Sequence, residues 1–346
     1  MRVGLLSLGD HLADPATGMR VSQQTRFASI VEQGVGAEER GFDGAFVGEH
    51  HFCDYIVSSP QMMLAAIASR TSTIRLGTGT SLVANHDPVH TAEDFATLDV
   101  LSGGRLELVA GRGILPWTYA QFGQQIAESR ATYGEHLELI VRLWTENDVH
   151  WTGHFRPPLQ GVTLAPKPVQ QPHPPVWIGG GTSFDSVDLA ARLGFDLMLP
   201  SVLSHPKAFV KMIARYREQR AVHGFDPDTG RIGAVSHTHV AKSSQEAHQR
   251  WEPWYRNYIE WVHSLFADSP DYASRVDTTF NYQTLTTGPA VCGSPAEVID
   301  RATSIAELLG LDTYLFMFDH GGIPDGPLWE SIDLFAGDVI PVIRAL

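Results

Sequence analysis

The sequence predicts one (β/α)8 barrel of the TIM type, with insertions after strands four and seven, and three observations carry that prediction. Short apolar runs rich in β-branched residues alternate with helical patterns along the chain, eight runs in all. No linker, low-complexity tract or internal repeat marks a second domain, and barrels of this class reach 346 residues as a single unit. Ionisable and glycine-rich clusters follow the ends of several runs, which in a barrel is the face that binds ligands.

Taken in order, residues 3–8 are strand one and the amphipathic stretch 23–40 is the first helix. Gly41-Phe42-Asp43 ends that helix and leads into strand two, 45–47. Pro60 opens a helix over 60–70, strand three covers 74–80, and Asp87-Pro88 starts a helix over 88–101. Strand four is 105–110, and a long helix spans 129–145. The excursion that follows holds a hairpin at 150–155 and a proline-rich loop at 161–175. Strand five, 176–178, precedes a helix at 184–193, and strand six, 196–199, precedes one at 206–223. Strand seven is the long run 231–241, after which Ser243-Ser244-Gln245-Glu246 gives a capping-box-like start to a helix over 243–266. Residues 268–289 are irregular, with Tyr272, Phe280 and Tyr282, and about 250–290 makes a lid-like insertion. A helix at 296–309, strand eight at 313–318 and a closing helix at 328–344 complete the barrel.

Hydrophobic residues make up 43% and charged residues 18%, so a large buried core is feasible. Twenty-five basic against thirty-nine acidic residues give a formal net charge of −14 with no Lys/Arg stripe, which argues against nucleic acid as a partner. No apolar run approaches the ~20 residues of a membrane span. The segment from Met1 to Gly9 lacks the apolar core and cleavage site of a signal peptide. Cys53 and Cys292 have neither metal-type nor disulfide-framework spacing. A cytoplasmic protein is expected.

Glu49-His50-His51 stands at the tip of strand two. Three ionisable side chains there are costly to bury unless they serve chemistry or pair among themselves; the plainer reading is one core histidine beside a solvent-facing one. After strand five, Gly179-Gly180-Gly181-Thr182-Ser183 runs directly into a helix. Glycines let backbone approach a ligand, and the helix N-terminus favours an anion such as phosphate; a tight turn with a Ser/Thr cap is the alternative. Arg112, between Gly111 and Gly113, could balance that anion or lie on the surface. No metal site is expected among the sixteen histidines. His50 and His51 point to opposite faces of an extended segment, Asp87-Pro88 interrupts His86 and His90, and His237-Thr238-His239 offers two imidazoles on one strand face but no full ligand set. Trp251, Trp254, Tyr255, Tyr258 and Trp261 supply packing against the barrel or a partner, or contacts to substrate. His320-Gly321-Gly322 follows strand eight and faces the same end.

A succession of short motifs resembles the bacterial luciferase-like flavin monooxygenases. It comprises Gly48-Glu49-His50-His51-Phe52, Leu76-Gly77-Thr78, His86-Asp87-Pro88-Val89, Ala92-Glu93-Asp94, Leu101-Ser102-Gly103-Gly104-Arg105 and Gly111-Arg112-Gly113. Val176-Trp177-Ile178 leading into the glycine run, and Ala190-Ala191-Arg192-Leu193-Gly194 after it, fit the same family. The resemblance covers residues 1 to about 245 and returns at 293–315, while 251–289 does not match.

The resemblance implies a flavin-dependent monooxygenase. FMN reduced by a separate flavin reductase would act as co-substrate (FMNH2) with O2, through a peroxyflavin, on a small organic substrate. Such a species needs a dry pocket, and a catalytic imidazole with pKa near neutrality can manage protons there. By resemblance His50 is the catalytic histidine and Glu49 the carboxylate beside the flavin ring. Gly79 and Thr80 match a non-proline cis peptide under the flavin. Gly111, Arg112, Gly180, Gly181, Thr182, Ser183 and Ser186 complete the cofactor site, the last residues around its phosphate. The light-emitting subunit of the family has a reactive cysteine where Gly111 stands. A homodimer through barrel helices is implied. A deazaflavin coenzyme passing hydride, or a non-catalytic flavin-binding subunit, are the alternatives; no dinucleotide fingerprint supports a built-in nicotinamide site.

Overall fold

The computed structural model describes residues 1–267 and 280–346. Its strands in chain order are β1 (Arg2–Ser7), β2 (Gly44–Val47), β3 (Arg75–Thr78), β4 (Ser81–Leu82), β5 (Leu106–Gly111), β6 (Val149–Trp151), β7 (Leu159–Val162), β8 (Val176–Gly179), β9 (Asp196–Leu199), β10 (Ile232–Val240), β11 (Val291–Gly293) and β12 (Thr313–Met317). The helices are α1 (Gln23–Glu39), α2 (Pro60–Ala68), α3 (Pro88–Ser102), α4 (Pro116–Gln121), α5 (Ser129–Thr145), α6 (Phe184–Leu193), α7 (Val210–Val222), α8 (Ser244–Phe266), α9 (Tyr282–Thr287), α10 (Pro295–Leu309), α11 (Asp325–Leu334) and α12 (Ile340–Ile343). Eight parallel strands pair in the order β1-β2-β3-β5-β8-β9-β10-β12 and close on themselves, with Arg2 opposite Thr313. The expected (β/α)8 barrel is therefore the fold.

Local chemistry sets the element ends where the sequence placed them. Asp87 caps α3, its carboxylate accepting from the N–H groups of Val89 and His90, and Ser243 caps α8 by accepting from the Glu246 N–H. Short elements escaped the pattern: β4 resumes the line of β3 beside β5, β11 lies parallel to β10, and α4 follows β5. Within the stretch expected to be irregular, Asn281 caps the six-residue α9. The hairpin is also wider than expected, because β6 pairs with β7, Trp151 opposite Leu159. Its returning strand lies partly in the segment assigned to proline-rich loop; Pro157 and Pro158 sit in the connection, and only from Leu159 does the chain pair. The closing helix is broken by a π-helical turn at Phe335–Val339. Tyr272 lies outside the described residues. No helix among the described residues is long and apolar enough to cross a membrane.

Alternation along the strands fills the barrel in layers. Leu6, Phe46, Val109, Trp177, Met198, Val235 and Leu315 form the middle of the interior. Gly77 is needed there, since a Cβ on it would stand 2.0 Å from the Phe46 ring. Below this layer Glu107 is buried, paired with Arg2 and accepting from Arg75 Nε at 3.0 Å and Trp177 Nε1 at 2.9 Å. Burial pushes its carboxyl up, but Arg2 and Arg75 outweigh that and hold it below the usual range. Removing one member of a buried ionic set strands the others. Glu107→Ala is expected to cost about 3 kcal/mol in urea unfolding at pH 7. Because the folded pKa is depressed, the contribution is present above the ordinary glutamate pKa and is lost as pH falls through the depressed one, so the gap between variant and wild type should close in acid.

Candidate active site

A cavity of about 1170 Å³ opens at the C-terminal ends of the barrel strands. Two residues beyond the middle layer, β2, β3, β5 and β8 each present glycine: Gly48, Gly79, Gly111 and Gly179. At the matching level β1, β10 and β12 carry Leu8, His237 and Met317. One half of the mouth thus ends on glycine while the other is walled by larger side chains. Thr80 lies against the glycine half. A Cβ on Gly111 would stand 2.1 Å from Thr80 Oγ1, and one on Gly179 would stand 2.6 Å from Thr80 Cγ2. The Gly79–Thr80 peptide bond is cis.

Glu49 leaves β2 into the mouth and is almost wholly buried. It accepts from His51 Nε2 at 2.8 Å, His86 Nε2, Ser81 Oγ at 2.9 Å and the Leu82 N–H at 3.0 Å. Burial alone would raise its carboxyl; the hydrogen bonds from His51 and His86 prevail and hold it at about 2. Burial tends to lower His86, but the bond to Glu49 raises it above the ordinary histidine value. The ligand-capable atoms of Glu49, His51 and His86 lie within 4.8 Å of one another. This grouping was not foreseen, because His86 arrives from a different loop. Both imidazoles direct Nε2 at the same carboxylate oxygen, which accounts for the cluster as a hydrogen-bonded brace.

His50 diverges from His51, as alternation requires. Its ring stacks on Tyr55 with centroids 4.0 Å apart, it lines the cavity, and its Nδ1 is buried without a partner among the described residues. Burial pushes its pKa down to about 4, against the partial pull of Glu49. The expectation of a near-neutral pKa is corrected: His50 is an uncharged imidazole at pH 7.

At the other end of the cavity Arg112 Nη1 donates to Ser129 Oγ at 2.8 Å, and Thr182 and Ser183 line the wall ahead of α6. The Ser183 hydroxyl makes no cap bond to the helix and remains available. Ser186 lines the wall too, but its hydroxyl braces the turn, accepting from the Gly181 N–H at 3.1 Å and donating to the Ser183 carbonyl at 2.9 Å. Gly180 reaches the cavity, whereas Gly181 turns away toward Leu199, where a Cβ would lie 2.7 Å from Cδ2. Its φ of +113° also favours glycine. Of the residues given catalytic or cofactor roles from sequence, Gly181 alone does not line the cavity, and His320, expected to face the same end, does not line it either.

The aromatic helix divides between the two roles foreseen for it. Trp251 is core, donating from Nε1 to His320 Nε2 at 2.8 Å, while Tyr258 lines the cavity and shares a 2.6 Å hydrogen bond with Tyr55. Sequence reasoning missed Tyr55, which the segment after the histidine pair folds back into the wall. It weighed His237 only as a metal ligand; the period-two alternation of β10 was the available signal that it faces inward.

Fold and site together define a barrel enzyme with its chemistry at the strand C-termini. The luciferase-like monooxygenase family model matches residues 1–313, and the chain belongs to that family. It is an oxidoreductase, a flavoprotein monooxygenase that incorporates oxygen. The oxygenase component of a flavin-dependent trigonelline monooxygenase from Acinetobacter baylyi is 25% identical over 335 residues, 93% of this chain and 90% of that one. The monooxygenase RslO1 from Streptomyces bottropensis superposes with a TM-score of 0.84 at 29% identity, over 99% of both chains. The oxygenating constituent of 3,6-diketocamphane monooxygenase from Pseudomonas putida, solved in complex with FMN, superposes with a TM-score of 0.82 at 20% identity, over 99% of this chain and 98% of that one.

Replacing Glu49 by Gln removes the charge that holds the His86 proton. The His86 pKa is expected to fall, because burial is then opposed only by the weaker pull of Asp94. Titration of histidine ring resonances by NMR reads the shift; an unmoved His86 would contradict the pairing.

Proposed function

We propose that the chain is the oxygenase of a two-component system, binding FMN delivered reduced by a separate reductase and oxygenating a small organic substrate with O2. The observation that carries this is the barrel mouth, glycine-ended on one half, whose wall holds Arg112, the hydroxyl residues Thr182 and Ser183, and an uncharged histidine. The residues fit a flavin: the cavity is lined by Gly79, Thr80, Gly111 and Gly179, Arg112 with Thr182 and Ser183 offers donors for a phosphate, and the N-terminus of α6 adds its dipole. The naming of the trigonelline relative as an oxygenase component supports a reductase partner, and the diketocamphane structure shows the same fold holding FMN.

When bound, reduced flavin supplies the electrons that activate O2; one oxygen atom goes to the substrate and the other leaves as water. The chain's own residues do the rest. Arg112 and the turn at 180–183 would hold the phosphate. Thr80 would support the ring from the glycine side. The apolar wall excludes water, which would divert the reaction. His50, uncharged and stacked on Tyr55, takes or returns a proton at a ring nitrogen facing the cavity.

His50→Ala is expected to bind reduced FMN within about threefold of wild type but to lose coupled oxygenation by about a hundredfold or more, releasing hydrogen peroxide instead. Anaerobic fluorescence titration and product-per-O2 stoichiometry with 18O2 read the two effects. Unchanged coupling would sink the assignment, and uptake of reduced deazaflavin with hydride transfer in place of FMN would sink the cofactor. Because burial lowers the His50 pKa, the acid limb of coupled turnover should lie near 4. A limb at the ordinary histidine value that disappears in His50→Ala would contradict this.

A further inference from the structure

We propose that His237 orients the organic substrate by donating a hydrogen bond from Nε2 to an uncharged acceptor oxygen, such as a carbonyl, on a largely apolar body. The proposal rests on the reading that this cavity takes both flavin and substrate. β10 places Val235 in the middle layer and His237 two residues further, in the cavity wall, 1% exposed. Its Nδ1 lies 2.8 Å from the Tyr255 hydroxyl, while Nε2 is buried with no partner among the described residues. The ring is fixed edge-to-face against Tyr255, Tyr258 and Phe280, at interplanar angles of 77°, 82° and 83°.

The proton's place follows from counting donors. If the Tyr255 hydroxyl donates to Nδ1, that donor is satisfied and Nε2 carries the ring proton. If Nδ1–H donated to Tyr255 instead, the phenolic proton and Nε2 would both be stranded in the interior, a costlier arrangement. His237 therefore presents an N–H that no described residue meets. Burial drives its pKa down to about 3, so it carries no positive charge with which to hold a carboxylate or phosphate. The surrounding wall, Tyr258, Val262, Leu265, Phe280 and Met317, is apolar apart from one hydroxyl already bonded to Tyr55. An apolar body bearing one acceptor oxygen is what this wall and this donor recognise.

The test compares two ligands that differ only by that oxygen, α-tetralone and tetralin, bound to full-length protein with and without FMN and followed by calorimetry. Wild type is expected to prefer the ketone by roughly three- to tenfold, the usual worth of a neutral hydrogen bond. His237→Phe should bring the preference within about twofold while FMN binding persists. A second readout needs no variant: in protein labelled with 15N-histidine, the His237 Nε2–H resonance should move with α-tetralone and not with tetralin. Equal binding of both ligands by wild type, a preference that survives in His237→Phe, or an Nε2 without a proton would overturn the proposal. Failure of FMN to bind with the ketone preference intact would instead count against the cofactor reading alone.

Discussion

The bay at the barrel mouth depends on one close approach: the Thr80 side chain lies where a Cβ on Gly111 would stand, 2.1 Å from its Oγ1, and also crowds position 179. A side chain at either position would force Thr80 out of the wall. Glycine stands also at 48 and 79, where a Cβ would lie 2.6 Å from Leu8 Cδ2 and 2.5 Å from Leu6 Cδ1, so Thr80, Leu8 and Leu6 take up the room that side chains on these four strand ends would need. A cysteine at 111, as in the light-emitting subunit this segment resembles, requires a different placement of Thr80. The mouth is therefore shaped by what β3 and β5 concede to each other.

On this floor the imidazoles bound to the carboxylate and those driven neutral by burial are kept apart. Glu49 gathers His51, His86, Ser81 and the Leu82 N–H, so the ionised carboxylate is fully occupied with bracing three segments of chain. His50 and His237, by contrast, keep ring nitrogens without partners among the described residues and are driven to the neutral form by burial. Electrostatics is thus confined to the cluster around Glu49 and to the Arg112 end. The space between offers uncharged groups and apolar walls, which suits a reaction that must exclude water.

The eight barrel strands were legible because each is an apolar run bounded by helix signals, and the triplet Glu49-His50-His51 was legible because ionisable residues at the tip of such a run are conspicuous. β4, β11 and α9 were not, being too short for any period to register. The return strand β7 was hidden among prolines. The Glu49–His86 bond joins residues 37 apart and exists only once β2 and the loop before α3 meet. The state of His50 was beyond the sequence for the same reason: its pKa is set by burial against Tyr55, a packing fact. Ser186 and Gly181 show that a motif can be placed correctly while its members divide the labour, one bracing the turn and one supplying backbone freedom.

The central claim is that the barrel mouth is a flavin site oriented by Arg112, Thr182 and Ser183. A crystal structure of the protein exposed to reduced FMN without oxygen tests it most directly. The account predicts phosphate oxygens on Arg112, Thr182 and Ser183, with the ring across Thr80 and one face toward His50. Flavin bound elsewhere on the chain, or bound with its phosphate remote from Arg112, would contradict it.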